Sequence, residues 1–193
     1  QKQIQDLFDH VLDDQTKKLL NELQKLMDQN QKSLTEDQLK QMQLDQKSLQ
    51  KELDRILTLY KKLELEQNIN RAVDQLHQIA QKQENLSQES LKNPENAKEK
   101  QENIKQQFEE VKKDLNALDK KNQLLDQATD FKNPEKEAQA IQEKMEEATK
   151  NLDQKKSQKA SQSQKEAAKQ VEQLAQKLSE MQQDGEEKES NVN

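Results

Sequence analysis

The chemistry-bearing residues of this 193-residue chain include two histidines, one of which stands in an acidic cluster. His10 has aspartates beside it and at helical spacings of three and four residues: Asp6, Asp9, Asp13 and Asp14. One imidazole and several carboxylates at such spacings could bind a metal ion. The chain has no cysteine and no second histidine near His10, so a zinc site is not indicated. We interpret the cluster as a solvated acidic face and predict no metal and no cofactor.

Acid–base chemistry would need a carboxylate with a shifted pKa in a cleft. Adjacent acids such as Glu109-Glu110 and Glu146-Glu147 fall on the polar face of their predicted helices. His77 falls off the apolar stripe, which indicates a surface residue, and no Gly-x-Ser-x-Gly motif occurs. The sequence therefore predicts a protein that is not an enzyme and has no catalytic residues.

One stretch is strongly basic. Between residues 150 and 169 only Asp153 and Glu166 are acidic, against six lysines. We call these six the lysine patch: Lys150, Lys155, Lys156, Lys159, Lys165 and Lys169. Such a patch could meet an anionic polymer, lipid headgroups or an acidic protein face. The alternative is an ordinary solvated helix face that nearby acids neutralise.

Composition limits the elements that could position these residues. The hydrophobic fraction is 29%, against about 45–50% in ordinary globular domains. There are three Phe, one Tyr, one Gly and two Pro, which disfavours base-stacking platforms and phosphate-binding loops. The net charge of −6 is interspersed, so we predict no nucleic-acid partner. This composition suits either disorder or long helices joined by narrow apolar seams.

Helix-start signals favour helices. Lys-Asn-Pro-Glu occurs at Lys92–Glu95 and again at Lys132–Glu135, and each combines an Asn cap, Pro at the first helical position and an acid in the first turn. Thr35 and Gln38 fit a capping box, and Gly185 fits a helix end. The sequence therefore predicts four helices, at 1–30, 36–90, 94–128 and 134–183.

Apolar periodicity supports an all-α fold of elongated antiparallel hairpins, a coiled-coil bundle of about four helices. The 94–128 seam has polar interruptions at its second and eighth positions: Ala97, Gln101, Ile104, Phe108, Val111, Leu115, Leu118, Asn122 and Leu125. We predict a first hairpin over 1–90, a second over 91–183 that shares the 65–90 half-helix, and an acidic flexible tail at 184–193.

The 36–90 helix changes its apolar face between Leu63 and Leu65. One stripe is Leu39, Met42, Leu49, Leu53, Ile56, Tyr60 and Leu63, and the other is Leu65, Ile69, Ala72, Val73, Leu76, Ile79, Ala80 and Leu86. Such a switch requires different partners on each half. We pair the first stripe with helix 1–30 around a turn at 30–35, and the second with helix 94–128. A break near Gln67-Asn68 is the alternative.

The last predicted helix has a stripe at Ala138, Ile141, Met145, Ala148 and Leu152, and then a zone without large apolar residues. The spacing 152, 156, 160 is a stutter. There the small residues Ala160, Ser161 and Ser163 could let another helix approach closely. The seam resumes at Ala167, Val171, Leu174, Leu178 and Met181. An antiparallel return ends near residue 165, so we expect this second face to overhang and to dock on a protein partner or a second copy of the chain.

Two stretches carry a resemblance: LDRILTLYKKLELEQNINRAVDQLHQIAQKQENL at Leu53–Leu86, and KKSQKASQSQKEAAKQVEQLAQKLSEMQQ at Lys155–Gln183. They resemble the low-complexity helical region of large membrane-anchored Bacteroidota proteins in a family of unknown function. The resemblance implies a soluble helical segment of a cell-envelope protein whose membrane helices lie elsewhere. It implies no catalytic residues.

Three functional hypotheses follow. The first is a non-enzymatic structural or interaction module of a larger envelope protein, with the periplasmic side preferred and membrane contact made through the parent protein. We expect a longer parent because the chain begins at Gln1 without Met. The second is a binder of an anionic membrane surface or polymer through the lysine patch. The third is an accessory domain that positions a catalytic partner.

Overall fold

The structure, a computed structural model, describes residues 18, 19, 21–23, 25 and 46–190. In this part of the chain every regular element is an α-helix, and the helices pack as bundles, which confirms the predicted all-α class. The helices with assigned bounds are α1 (Gln46–Lys92), α2 (Pro94–Gln123), α3 (Glu135–Asp153) and α4 (Ser157–Ser190). The predicted turn at 30–35 and the helix start at 36 lie outside the described residues.

The chain divides into two compact units. The first is Gln1–Leu65 with Leu125–Gln127, and the second is Glu66–Leu124 with Ala128–Asn193. The boundary in α1 falls between Leu65 and Glu66, next to the predicted change of apolar face. Helix α1 runs through this boundary, so the alternative of a break near Gln67-Asn68 is wrong.

In the first unit, leucines supply the described core: Leu23, Leu53, Leu57 and Leu65 are each at most 4% exposed. Lys61 Nζ lies 3.0 Å from Glu22 Oε1, so the segment around residue 22 contacts α1. The contact supports the predicted pairing of these two stretches. A symmetric hairpin with its turn at 30–35 would pair Glu22 with a residue of α1 well before Lys61. The observed contact with Lys61 therefore has a different register.

In the second unit, four helical segments close into an antiparallel bundle. A hydrogen bond or ion pair joins each two neighbouring helices. Lys100 bonds Glu89 between α1 and α2, and Lys112 bonds Gln142 between α2 and α3. Lys144 bonds Glu166 between α3 and α4, and His77 bonds Glu172 between α1 and α4. At the α3–α4 junction Glu137 also bonds Lys177, so residue numbers fall on one helix as they rise on the other. This numbering identifies the helices as antiparallel.

The predicted stripes form the core of this bundle. All eight members from Ala97 to Asn122 are buried in α2, and all five from Ala138 to Leu152 are buried in α3. The second stripe of α1 is also buried at 0–7% exposure; its members from Ile69 to Leu86 lie in this bundle, and Leu65 belongs to the first unit. Leu125, the last predicted member of the α2 seam, is half-buried and lies beyond the helix end.

Helix ends agree with the sequence less well than the stripes do. Helix α2 begins at Pro94 as predicted, but the Asn93 side chain makes no capping bond. At the second Lys-Asn-Pro-Glu site the helix begins one residue late, at Glu135, and the Asn133 amide donates to Asp119 Oδ1 at 3.2 Å. Helix α2 ends at Gln123 instead of 128 because the Asn122 side chain binds the following loop.

The predicted continuous helix over 134–183 is wrong, because the chain reverses at residues 154–156. Lys155 adopts the left-handed region with φ of 56°. The Lys155 amide donates to Leu152 O at 2.9 Å and the Lys156 amide to Asn151 O at 2.8 Å, the two bonds of a Schellman motif. Gly185 does not end α4 either, since the helix continues to Ser190.

Candidate functional site

The face predicted to dock on a partner is covered inside the chain. Ala167, Val171, Leu174 and Leu178 are at most 1% exposed, and Met181 is half-buried. The prediction of an overhanging face at 167–181 is therefore wrong. The physical reason is the chain reversal at 154–156. It makes α4 pack antiparallel to α3 in the bundle, whereas the prediction had a single helix that continued beyond residue 165.

Partners from two helices close over α4. From α1, His77 Nδ1 lies 2.9 Å from Glu172 Oε2, and the Glu66 carbonyl accepts a bond from Gln182 Nε2 at 3.0 Å. From α3, Glu137 binds Lys177. The apolar residues of this face therefore pack inside the bundle.

A hydrogen-bonded group of three glutamines lies in the core, and we call it the glutamine layer. Gln83 Nε2 donates to Gln101 Oε1 at 2.8 Å, and Gln101 Nε2 donates to Gln83 Oε1 at 3.0 Å. Gln164 Nε2 donates to the same Gln101 oxygen at 3.0 Å. All three side chains are fully buried. The layer joins α1, α2 and α4, so it ties distant parts of the chain to one register.

The seam pattern predicts Gln101 as a polar interruption, whereas Gln83 and Gln164 were not predicted. The signal was present in the spacing. Gln83 lies three residues before Leu86 and three after Ala80, and Gln164 lies three before Ala167. Both positions therefore belong to apolar stripes at helical spacing.

Small buried residues precede Gln164 on α4. Ala160, Ser161 and Ser163 are at most 4% exposed, so the zone without large apolar residues is a helix contact, as one predicted alternative held. Among the residues that the structure describes, none forms a hydrogen bond with the buried atoms Gln164 Oε1 and Ser90 Oγ. This half of the bundle is more polar than the half that contains Phe108, which lowers its share of the hydrophobic stabilisation.

The predicted lysine patch is divided by the turn. Lys155 and Lys156 lie in the turn, Lys150 lies on α3, and Lys159, Lys165 and Lys169 lie on α4. All six are exposed. Lys156 Nζ donates to Gln154 Oε1 at 2.6 Å, and among the described residues no carboxylate forms an ion pair with any of the six.

The two acids of this stretch are bound to lysines from other helices. Asp153 Oδ1 lies 2.6 Å from Lys98 Nζ, and Glu166 Oε2 lies 2.9 Å from Lys144 Nζ. The hydrogen bond to Asp153 raises the pKa of Lys98, and the bond from Lys144 lowers the pKa of Glu166. Neither acid forms an ion pair with the lysine patch. The two acids nearest in sequence therefore do not neutralise it, which argues against the alternative of a face neutralised by nearby acids.

Three glutamates of the described residues have lowered pKa values. The downward pKa shifts of Glu52, Glu137 and Glu166 each come first from a hydrogen bond with a basic side chain: Arg55, Lys177 and Lys144 respectively. A general acid requires the opposite direction of shift. Residues of the described ranges form no group of three metal-ligating side chains. His10 and its aspartates lie outside the described residues.

A groove of about 590 Å³ lies between α2 and α3. Its lining alternates in charge, with Lys112 and Lys136 beside Glu109 and Glu143, and Ala140 is exposed in it. Lys112 Nζ also donates to Gln142 Oε1 at 2.6 Å. Because the charges balance, the groove does not select an ion of either sign.

Comparison of the sequence with models of known protein families gives no match, and comparisons with curated proteins and with solved structures give none either. Among the described residues, no helix is long and apolar enough to cross a membrane.

Proposed function

We propose that the chain is a non-enzymatic structural and protein-interaction module, the helical part of a larger cell-envelope protein. The observation that carries the proposal is the hydrogen bonding of the glutamine layer in the core. Gln101 accepts bonds from both Gln83 and Gln164, so a group able to bind a ligand instead fixes three helices in one register.

Surface charges support the same interpretation. Ion pairs cross between helices at Lys100–Glu89, Lys98–Asp153 and Lys144–Glu166. Exposed pairs contribute little stability each, about 0–1 kcal/mol, but several in one bundle favour a single alignment of its helices. A bundle with one alignment presents its surfaces at fixed positions, which is what a spacer or docking module requires.

The envelope location, with the periplasmic side preferred, belongs to this proposal. It is supported by the resemblance of Leu53–Leu86 and Lys155–Gln183 to the helical regions of membrane-anchored proteins. The membrane-spanning segments would lie in other parts of the parent protein.

Scattering tests the architecture behind the proposal. Helix α1 has 47 residues and is about 70 Å long at 1.5 Å per residue, so small-angle scattering should give a maximum dimension of at least about 70 Å. A maximum dimension well below that length would contradict it.

Photo-crosslinking in the parent protein tests the interaction role. A photoreactive residue at an exposed glutamine of α2, α3 or α4 (Gln106, Gln139 or Gln173) should capture a discrete protein from one face. The matched control is the buried position Leu178, where no intermolecular crosslink is expected. Equal crosslinking at position 178 would show that the apolar face is open and would overturn this interpretation of the bundle.

A further inference from the structure

Two turns of the second unit lie at the same end of the bundle. The turn after α1 contains Asn93, and the turn after α3 contains Lys155. The 2.6 Å pair between Lys98, near the start of α2, and Asp153, at the end of α3, places the two turns side by side. We call the exposed lysines around these turns the lysine end: Lys92, Lys155, Lys156 and Lys159.

This end carries more positive than negative charge. Its acids Glu89 and Asp153 form pairs with Lys100 and Lys98, and these pairs are neutral. Glu95 and Glu99, in the first turns of α2, are the other exposed acids nearby. The lysine end therefore carries a local excess of positive charge on a chain whose net charge is −6.

An exposed apolar side chain lies next to one of these lysines in the sequence. Leu91 is 52% exposed and directly precedes Lys92. A soluble polyanion offers nothing to a leucine, whereas a bilayer offers an apolar boundary below its headgroups. The combination of exposed lysines and an exposed leucine at one tip therefore favours a lipid surface over a soluble anionic chain.

We propose that the lysine end docks end-on on an anionic lipid surface, with its four lysines against the headgroups and Leu91 at the acyl boundary. The attraction decays within a Debye length, about 10 Å at 0.1 M salt. Lys165 and Lys169 lie two to three helical turns further along α4, about 12–18 Å from the turn at 1.5 Å per residue, and contribute little. The negative charge of the rest of the chain repels the membrane and disfavours side-on binding.

The test is flotation of the full chain with vesicles of phosphatidylcholine alone or with 30 mol% phosphatidylserine, at low and high salt. We expect binding to the anionic vesicles, weakened by salt, and none to the neutral ones. Each lysine at an anionic surface contributes about fivefold to partitioning, so Lys155→Gln with Lys156→Gln should weaken binding about 25-fold. Leu91→Ser should weaken it severalfold without changing the charge.

The matched control is Lys165→Gln with Lys169→Gln, which removes the same charge from α4 away from the tip. Measured at 0.1 M salt, it should leave binding within about twofold, since these lysines then lie beyond the Debye length of about 10 Å. Lys155→Arg with Lys156→Arg should keep binding and shows that charge at the turn is what matters. If the turn pair unfolds on neutralisation, judged by circular dichroism, Lys92→Gln with Lys159→Gln gives the same test.

Three outcomes would overturn the proposal. Absence of binding to anionic vesicles at low salt is the first. Equal weakening by the turn pair and the control pair would show binding along α4. Equal affinity for soluble polyphosphate, unaffected by Leu91→Ser, would identify a soluble polyanion as the partner. None of these outcomes bears on the scattering test of the proposed structural role.

Discussion

Gln83 and Gln101 bond to each other in both directions across the α1–α2 interface, with donor–acceptor distances of 2.8 and 3.0 Å. Two carboxamides can form both of these hydrogen bonds with each other in only one alignment of the helices. A slide by one helical turn would leave both groups buried without partners, at a cost of about 1–3 kcal/mol for each. The pair therefore specifies register in a bundle whose apolar stripes alone would accept several.

Truncation of Gln101, which accepts hydrogen bonds from both other glutamines of the layer, should lower the free energy of unfolding. Gln101→Ala removes the partner of Gln83 and Gln164 at once, so we expect the free energy of unfolding to fall by about 2–4 kcal/mol. Urea denaturation followed by circular dichroism measures it. The control is Gln106→Ala, an exposed position of the same helix, which should cost less than about 0.5 kcal/mol. Equal costs at the two positions would show that the layer contributes nothing.

The other polar interruption of α2 has a different task. Asn122 Nδ2 donates to the carbonyls of Thr129 and Phe131, and its Oδ1 accepts from the Thr129 amide at 2.8 Å. Asn122→Ala should lower the free energy of unfolding by about 2–3 kcal/mol, because buried loop groups lose their partners. Amide hydrogen exchange should rise at Thr129 in this variant and not in Asn103→Ala, which alters an exposed residue. Unchanged protection at Thr129 would contradict the interpretation.

The left-handed residue between α3 and α4 is a lysine, where glycine is favoured. A side chain at such a φ costs about 1–2 kcal/mol. Lys155→Gly should therefore raise the free energy of unfolding by about 1 kcal/mol, measured by urea denaturation. Lys156→Gly removes the same charge at a position without positive φ and should be neutral or destabilising. A stabilising Lys156→Gly would attribute the gain to charge instead of backbone strain.

The apolar face of α4 stabilises the chain without any partner. Leu178 is fully buried and Leu124 is 84% exposed, so the two make a matched pair. We expect Leu178→Ala to lower the free energy of unfolding by about 2–5 kcal/mol and Leu124→Ala by less than about 0.5 kcal/mol. Denaturation midpoints that do not change with protein concentration would show that the loss is internal. A midpoint that rises with concentration would restore the idea of an intermolecular face.

The sequence predicted the apolar stripes of the second unit, because burial on a helix follows a period of 3.6, but not buried polar positions such as Gln83 and Gln164. It failed at Lys155, since a chain reversal without glycine or proline has no compositional signal beyond the stutter at 152, 156 and 160. That single failure produced the wrong docking face. A stripe such as Val171–Leu178 has the same pattern whether its partner is another helix of the chain or another molecule.

For the lysine patch, too, the sequence could not predict contacts between residues that are far apart in the chain. The sequence located the basic residues and their two acidic neighbours, Asp153 and Glu166. It could not show that Lys98 and Lys144 bind those acids, because the pairs join residues 55 and 22 positions apart. Nor could it show that Leu91 is exposed at the same end as Lys155.

The α3–α4 junction predicts a pH dependence. The bonds from Lys177 to Glu137 and from Lys144 to Glu166 lower the pKa of both carboxyl groups below the unfolded value of 4.5. A carboxyl with a lowered folded pKa stabilises the fold fully above its unfolded pKa and loses that contribution as the pH falls through the folded one. Both pairs are largely exposed, so we assign less than about 1 kcal/mol to each.

The double variant Glu137→Gln with Glu166→Gln isolates this contribution. At pH 7 and low salt its melting temperature should lie about 2–4 °C below that of the unmodified chain. The difference should shrink as the pH falls below 4.5, because protonation removes the same charges from the unmodified chain. Glu110→Gln, at an exposed position of α2, controls for net charge and should produce no such trend. A difference that persists at pH 3 would attribute the effect to side-chain packing and not to the ion pairs.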